Sequence, residues 1–434
     1  MIPIRKLEDL TDAELNRLCR RFGEDFTALM IETVIPIVED VRREGDAAVR
    51  RYTEKFDRVR LESILATPEE IAAGRRAVPR EIIDAFDEAR RNIEEFHRLQ
   101  KRDDILLKRP DGSMLGVRFQ PIDRAAVYVP GGKASYPSSV LMGVVPARIA
   151  GVESITLVTP PGPDGRLPDI ICAVCDMVGV TRVVKAGGAQ GIAAVGLGTE
   201  SVPKADIIVG PGNVYVTAAK TYLFSIGAVQ IDSPAGPSEV LVIADSGANP
   251  RWVAWDLLSQ AEHDEMAVAI LLTDSQELAE RVRDEIERDL AAKVGRHAIK
   301  EAAIRGSGLI LIVNDIQEAV DFSNRYGPEH MELLVDRPME FLPLVRNVGS
   351  LFVGYHAPVA VGDYFSGTNH ILPTGGTARF SSGTSVETFT RRTTWQYLTK
   401  EALARARMPV AAMSEVEGFR DKHGGSIDVR FENE

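Results

Sequence analysis

Seven histidines and their neighbours carry most of the chemistry this chain could do. Gln260-Ala261-Glu262-His263 closes a stretch of helical spacing, and two positions three apart share one helix face. Histidine is the commonest nitrogen ligand for zinc. Asp363 and His370 flank the loop Tyr364-Phe365-Ser366-Gly367-Thr368-Asn369. Glu329-His330 follows Tyr326-Gly327-Pro328, where the proline fixes the approach to a carboxylate beside an imidazole. His423 stands before Gly424-Gly425. Taken singly, such residues are more often structural than catalytic. Together, in loops, they point to a metal site with an acid–base pair. There is no contiguous His-Glu-x-x-His motif to identify the metal outright. His97 and His297 lie among charged helical residues and are expected at solvated surfaces, and His356, before Ala-Pro, is expected to be incidental.

Two glycine loops could admit a ligand close to the backbone. They are Gly187-Gly188-Ala189-Gln190-Gly191 and Gly210-Pro211-Gly212-Asn213. Neither is a Gly-x-Gly-x-x-Gly or Walker fingerprint, and tight strand–helix turns explain each equally well. Cys172 and Cys175 have the spacing of a redox pair, but they sit among small apolar residues at helical spacing and read as packing.

These residues need elements to hold them. The first hundred residues read as helices: Thr11-Asp12-Ala13-Glu14 and Thr67-Pro68-Glu69-Glu70 have helix-start spacing. Ile82, Ile83, Phe86, Ala89, Ile93 and Phe96 then recur as one face of a long helix. Short apolar runs follow at 125–129, 155–159, 183–184 and 207–209, each ending in a Gly/Pro loop, with helical stretches at 138–149 and 169–178. Strands alternating with helices imply parallel sheets with right-handed crossovers. In open α/β sheets, ligands bind at the loops after the carboxyl ends of strands. A second such stretch has strands at 240–244, 268–273 and 309–313, with helices at 252–262 and 276–290 and a last strand at 349–353. Beyond about Ser381 the chain reads as polar and helical, without strand alternation.

Composition sets the outer limits. The 434 residues are 44% hydrophobic and 26% charged, a balance that builds large cores in two or more domains. Three cysteines, Cys19, Cys172 and Cys175, fit a reducing compartment rather than a disulfide framework. Met1–Leu10 does not read as a signal peptide, and no apolar run nears the roughly 18 residues of a membrane span. A cytoplasmic protein is expected. The net charge of −12 disfavours nucleic acid and suits a small cationic substrate.

In this order the segments resemble the histidinol dehydrogenase family. The matching motifs are Tyr128-Val-Pro-Gly-Gly, Gly187-Gly-Ala-Gln, Gly210-Pro-Gly-Asn, Ala235-Gly-Pro-Ser-Glu, Leu258-Ser-Gln-Ala-Glu-His, Gly327-Pro-Glu-His and the run from Gly362 to Gly376. The resemblance implies an α/β fold of two incomplete Rossmann-like domains. Small helical N- and C-terminal segments would be exchanged in an intertwined homodimer. The implied division is an N-terminal segment 1–25, a first domain 26–127 with 239–384, an inserted NAD-contacting domain 128–238, and a C-terminal segment 385–434 that reaches the partner. It implies NAD+ contacts at Tyr128, Gln190 and Asn213. It implies zinc ligands at Gln260, His263 and Asp363, with His423 supplied by the partner subunit. Ser238 and Glu417 match further substrate contacts. The implied substrate is L-histidinol, whose imidazole and amino nitrogens the zinc would hold.

Oxidising an alcohol requires a base as hydride leaves. His330 is expected in that role because an imidazole titrates near working pH. Glu329 is expected to activate the water added to the aldehyde, and His370 to steady the site from behind. None of the three cysteines lies in a ligand loop, which argues against a thiol-borne intermediate. One departure is visible: four residues, not the family's usual three, separate Glu417-Gly418 from the histidine, so Lys422 occupies the usual histidine register. Two rivals stand beside this reading. One is a sister zinc/NAD dehydrogenase acting on another alcohol, such as a sulfonated diol. The other is a zinc hydrolase without nicotinamide.

Overall fold

The computed structural model describes residues 1–19, 24–131, 135–234 and 236–432. Gly132 and Ala235, each part of a motif above, lie outside them. The chain forms two compact units, 1–100 with 122–389, and 101–121 with 390–434.

The larger unit holds two sheets, both parallel throughout. Strands are numbered along the chain. The six-stranded sheet contains β1 (Ile4–Lys6), β9 (Glu239–Ala244), β10 (Val268–Thr273), β11 (Leu309–Ile312), β12 (His330–Leu334) and β13 (Ser350–Val353), in the order β1-β11-β10-β9-β12-β13. The five-stranded sheet contains β4 (Arg124–Tyr128), β5 (Ser154–Thr159), β6 (Arg182–Lys185), β7 (Ile207–Val209) and β8 (Gln230–Ile231), in the order β6-β5-β4-β7-β8. Parallel strands covered by helices on both faces must be apolar at successive positions. Accordingly, every residue of β7 and β9 is buried. Each sheet reverses direction once, between β4 and β7 and between β9 and β12, as in dinucleotide-binding folds.

The smaller unit has an antiparallel sheet of β2 (Ile105–Lys108), β3 (Met114–Pro121) and β14 (Thr390–Tyr397), in the order β14-β3-β2. It also carries the helix Lys400–Val416. Strand β14 corrects the expectation that the chain past Ser381 is helical. Its sequence, Thr-Arg-Arg-Thr-Thr-Trp-Gln-Tyr, is largely exposed, so it has no apolar run to announce it.

Strand β12 also departs from expectation. Glu329-His330 was placed in a loop, but His330 is the first residue of a buried central strand. The turn before it comes from Gly327, which ends the helix Ile316–Tyr326 in a left-handed conformation (φ 66°, ψ 61°) that glycine adopts without cost. His97, expected at the surface, is fully buried. Its Nδ1 lies 2.9 Å from the Ile93 carbonyl, and Asn369 approaches its Nε2 at 3.4 Å. Cys172 and Cys175 are buried in the packing of the helix Asp169–Met177, and burial pushes both thiols up, Cys172 to about 11. No described helix is long and apolar enough to cross a membrane.

Candidate active site

Residues from both ends of the chain's second half meet at the amino edge of the six-stranded sheet. His330 opens β12 opposite Val240 of β9. Its Nδ1 lies 2.9 Å from the Glu239 carbonyl, which can only accept, so Nδ1 carries the hydrogen. Nε2 therefore holds the lone pair. It has no hydrogen-bond partner among the described residues and faces Asp363 Oδ1 at 3.8 Å. Glu329 folds back onto the same place. Its Oε2 accepts from the Glu239 N–H at 2.8 Å and lies 3.5 Å from His330 Nδ1. Ser238 directly precedes Glu239, at the same edge. The neighbours Glu329 and His330 therefore work side by side because both reach back to one residue of β9.

His263 follows the helix Pro250–Ala261, and its Nδ1 donates to the Ser259 carbonyl at 2.9 Å, leaving Nε2 open. Gln260, one turn earlier, is buried with Oε1 unpartnered among the described residues. Asp363 lies in the helix Val359–Tyr364. His370 donates from Nδ1 to the Asp363 carbonyl (3.0 Å) and accepts at Nε2 from the Ser139 hydroxyl (3.0 Å). The loop between Asp363 and His370 rests on the helix Arg80–Arg98, where Asn92 donates to the Phe365 carbonyl at 2.8 Å. Ser139, Asn92 and Glu239 are positioning residues without a role in the motif reading, although Glu239 closes the Ala235-Gly-Pro-Ser-Glu motif. Only a spatial neighbour gives them that role.

Burial governs the electrostatics. It pushes the His330 pKa down, with the Asp363 charge pulling the other way. It pushes His370 down for the same reason. It drives the Glu329 carboxyl well above the usual range, aided by Glu239 and Asp363 and opposed by the Glu239 N–H. The site thus holds a neutral imidazole with an open lone pair and a carboxyl that favours its protonated form, a pair able to move protons in either direction.

Gln260, His263 and Asp363 supply an amide oxygen, an imidazole nitrogen and a carboxylate. Among the described residues no group of three or more His, Cys, Asp or Glu is arranged to hold a metal. The set nevertheless fits a divalent ion as part of a ligand shell. Gln260 Oε1 is a buried acceptor with no donor, a costly arrangement unless a cation or ligand completes it.

The second cluster lies at the opposite kind of edge, the carboxyl ends of the five-stranded sheet. Tyr128 ends β4, and its hydroxyl accepts from the Gly188 N–H at 3.2 Å. Burial pushes its pKa up to about 12. Gln190, in the first turn of the helix Gly188–Leu197, is buried with Oε1 unpartnered among the described residues. Asn213 is exposed and caps the helix Val214–Ser225, accepting from Tyr215 and Val216 N–H at 3.1 Å each. Gly210 (φ 119°) lets this loop cross Tyr128: a Cβ there would stand 2.1 Å from the Tyr128 carbonyl oxygen. The buried pair Lys220–Asp232 grips Gly210 from both sides, Lys220 at its carbonyl (3.1 Å) and Asp232 at its N–H (2.7 Å). The three residues thus surround the point where strand order reverses.

The family model for histidinol dehydrogenase matches residues 21–431. A histidinol dehydrogenase of Leptospira interrogans is 46% identical over 418 residues, 96% of each chain. The chain belongs to the histidinol dehydrogenase family. Another member, from Methanothermobacter thermautotrophicus, is 48% identical over 332 residues, 76% of this chain and 77% of its own. The crystal structure of histidinol dehydrogenase from Elizabethkingia anophelis matches with a TM-score of 0.92 at 37% identity, covering 100% of this chain and 98% of that one.

The family motifs outside the large unit lie at the end of the smaller one. Glu417 caps the helix Lys400–Val416 and is exposed, as is His423. The Gly424 N–H bonds the Phe419 carbonyl, five residues back, at 3.0 Å. Arg420–Gly424 is therefore a π-helical turn, which holds one more residue than an α-turn. Lys422 projects into solvent with 93% of its side chain exposed.

Proposed function

We propose that the chain oxidises L-histidinol through L-histidinal to L-histidine, reducing two NAD+. The observation that carries this is the His330 lone pair, held open toward Asp363 in a buried site by a backbone carbonyl. His330 Nε2 takes the hydroxyl proton as the first hydride leaves for NAD+. Glu329, through its ionised form, then takes a proton from the water that adds to the aldehyde carbon, and His330 returns its proton to the aldehyde oxygen, which gives the hydrate and a neutral imidazole. His330 takes the hydroxyl proton of the hydrate as the second hydride leaves, and the carboxylic acid so formed loses its remaining proton to solvent to give the carboxylate product. Burial keeps His330 unprotonated and ready to accept.

Gln260, His263, Asp363 and His423 of the partner subunit would hold one Zn2+ per site. When bound, it would anchor the substrate's imidazole and amino nitrogens and orient the alcohol. The open nitrogen of His263 and the orphaned Gln260 oxygen support that ligand set. Ser238 would contact substrate from the β9 edge. Glu417 of the partner subunit would hold a cationic substrate group in a charge-assisted hydrogen bond. Tyr128, Gln190 and Asn213 would line the NAD+ site.

The reading includes an intertwined homodimer whose C-terminal segments complete each other's sites. Exposed apolar side chains beside Glu417 support it, with Val416 90% exposed and Phe419 61%. It also includes the division into 26–127 with 239–384 and 128–238, and a cytoplasmic location. The test is NADH production from zinc-loaded protein given L-histidinol, with histidine quantified. Two NADH per histidine, lost on chelation and restored by zinc, is expected. Folded, zinc-bound protein that makes no NADH from histidinol would reject this substrate in favour of another alcohol.

A further inference from the structure

Two buried carboxyls that the chemistry above does not use lie directly behind the site. Glu332 is fully buried on β12, two residues beyond His330, so both side chains leave the same face of the strand. Asp256 is four residues before Gln260, on the same face of the helix Pro250–Ala261. Val359 is four residues before Asp363 in the helix Val359–Tyr364, and its N–H donates to Glu332 Oε1 at 2.9 Å. The Asp256 carboxyl lies within hydrogen-bonding reach of the Glu332 carboxyl. Oε2 has no donor with a fixed hydrogen among the described residues, and no cation contributes to either carboxyl. Two carboxyls in contact can bond only if one of them keeps a proton.

We propose that Glu332 and Asp256 form a proton-sharing clamp that positions the site, joining at one point the helix that carries Gln260 and leads into His263, the strand of His330 and the helix of Asp363. This inference rests on the ligand and base assignments above. Glu332 is the deeper group and holds the proton. Asp256 borders an open pocket of about 520 Å3 with Trp252, Trp255 and Tyr355, and keeps the charge where water reaches it. Burial raises both carboxyls, Glu332 the more; the Asp256 charge raises Glu332 further, whereas the bond to Glu332 holds Asp256 down. Each clamp residue stands one structural repeat behind a site residue, so a shift of any one element moves a ligand or the base. Both are positioning residues, since neither touches the reacting atoms.

E332Q keeps the clamp: its amide donates to Asp256, and its oxygen still accepts from Val359. E332L removes both bonds at similar volume, and D256L breaks the clamp from its half-exposed side, so one variant remains if the other fails to fold. Three readouts apply: zinc affinity of metal-free protein by chelator competition, hydrogen exchange of the Val359 amide without metal, and kcat with histidinol. We expect E332L and D256L to lose about 10- to 100-fold in zinc affinity, as for other residues that orient ligands. Faster Val359 exchange and lower kcat should accompany that loss, with NAD+ affinity unchanged. E332Q should stay near wild type in all three. Wild-type zinc affinity and Val359 exchange in the leucine variants would overturn the clamp, as would E332Q failing as badly as E332L. A wild-type chain that binds no zinc would instead overturn the functional reading, while Val359 exchange still tests the clamp.

Discussion

The two parallel sheets share a strand order but use opposite edges. In the five-stranded sheet the order β6-β5-β4-β7 puts Tyr128, Gln190 and Asn213 at carboxyl ends, around the reversal point. In the six-stranded sheet the matching order β11-β10-β9-β12 puts Ser238, Glu329 and His330 at amino ends. At the carboxyl ends, where the rule for open sheets looks for a ligand, the loops are tied to one another instead. Asp245, after β9, accepts from the Tyr355 hydroxyl (2.9 Å), the Asp336 N–H (2.6 Å) and the Gly247 N–H (3.0 Å). Strand order locates a ligand crevice only where the loops leave it open. Here the candidate cofactor residues line the crevice of one sheet, and the candidate catalytic residues stand at the far side of the other.

Four experiments press on that contrast. H330N keeps the bond to the Glu239 carbonyl and deletes the Nε2 base. Turnover should fall by about 10³-fold, within the range for removing a general base, while NAD+ binding by fluorescence titration stays as it was. E329Q should slow the second oxidation by about 10²-fold. Histidinal should then build up and NADH per histidine should exceed two; equal slowing of both steps would remove Glu329 from the water step. Q190L should raise the KM for NAD+ by about tenfold, the value of one good hydrogen bond, and leave zinc affinity alone. D245A releases the tied edge. It should cost about 1 kcal/mol in denaturant unfolding by removing the hydrogen bonds of the Tyr355 hydroxyl and two backbone N–H groups, with little change in kcat. A large loss of turnover in D245A would mean that both edges of the six-stranded sheet serve the reaction.

The pH profile tests the same base more gently. Because burial lowers the His330 pKa, the imidazole stays neutral at pH values where an exposed one would charge. The acid limb of kcat/KM should therefore lie below the ordinary imidazole value of about 6.5. A limb at or above that value would take the role away from His330.

The contrast also shows what could be read from residues alone. Four strands of the five-stranded sheet are legible because they are mostly apolar runs ending in glycine and proline; the two-residue β8, half of it exposed, carries no such run. Strand β12 is not legible either, since His-Met-Glu-Leu-Leu carries the base and a clamp carboxyl where an apolar run would be sought. A site built inside a strand erases the pattern that marks the strand. His97 was misplaced although its address was visible: it falls four residues after Ile93, on the buried face of its helix. Its charged neighbours occupy the other face. The motifs that mark the family are readable in order, whereas the contacts of Ser139, Asn92, Glu239 and Asp256 arise only when separate elements meet.

The Glu239–His330 contact ties the base to the middle of a sheet. Strands β9 and β12 pair over His330–Leu334 and Val240–Ala244 and have neighbours on both outer sides. Central strands open to solvent only with the global unfolding of their domain, unlike lids and loops that fray one by one. The orientation of the His330 ring therefore has the lifetime of the folded domain. The loops that carry cofactor and substrate contacts can breathe on faster timescales without disturbing it.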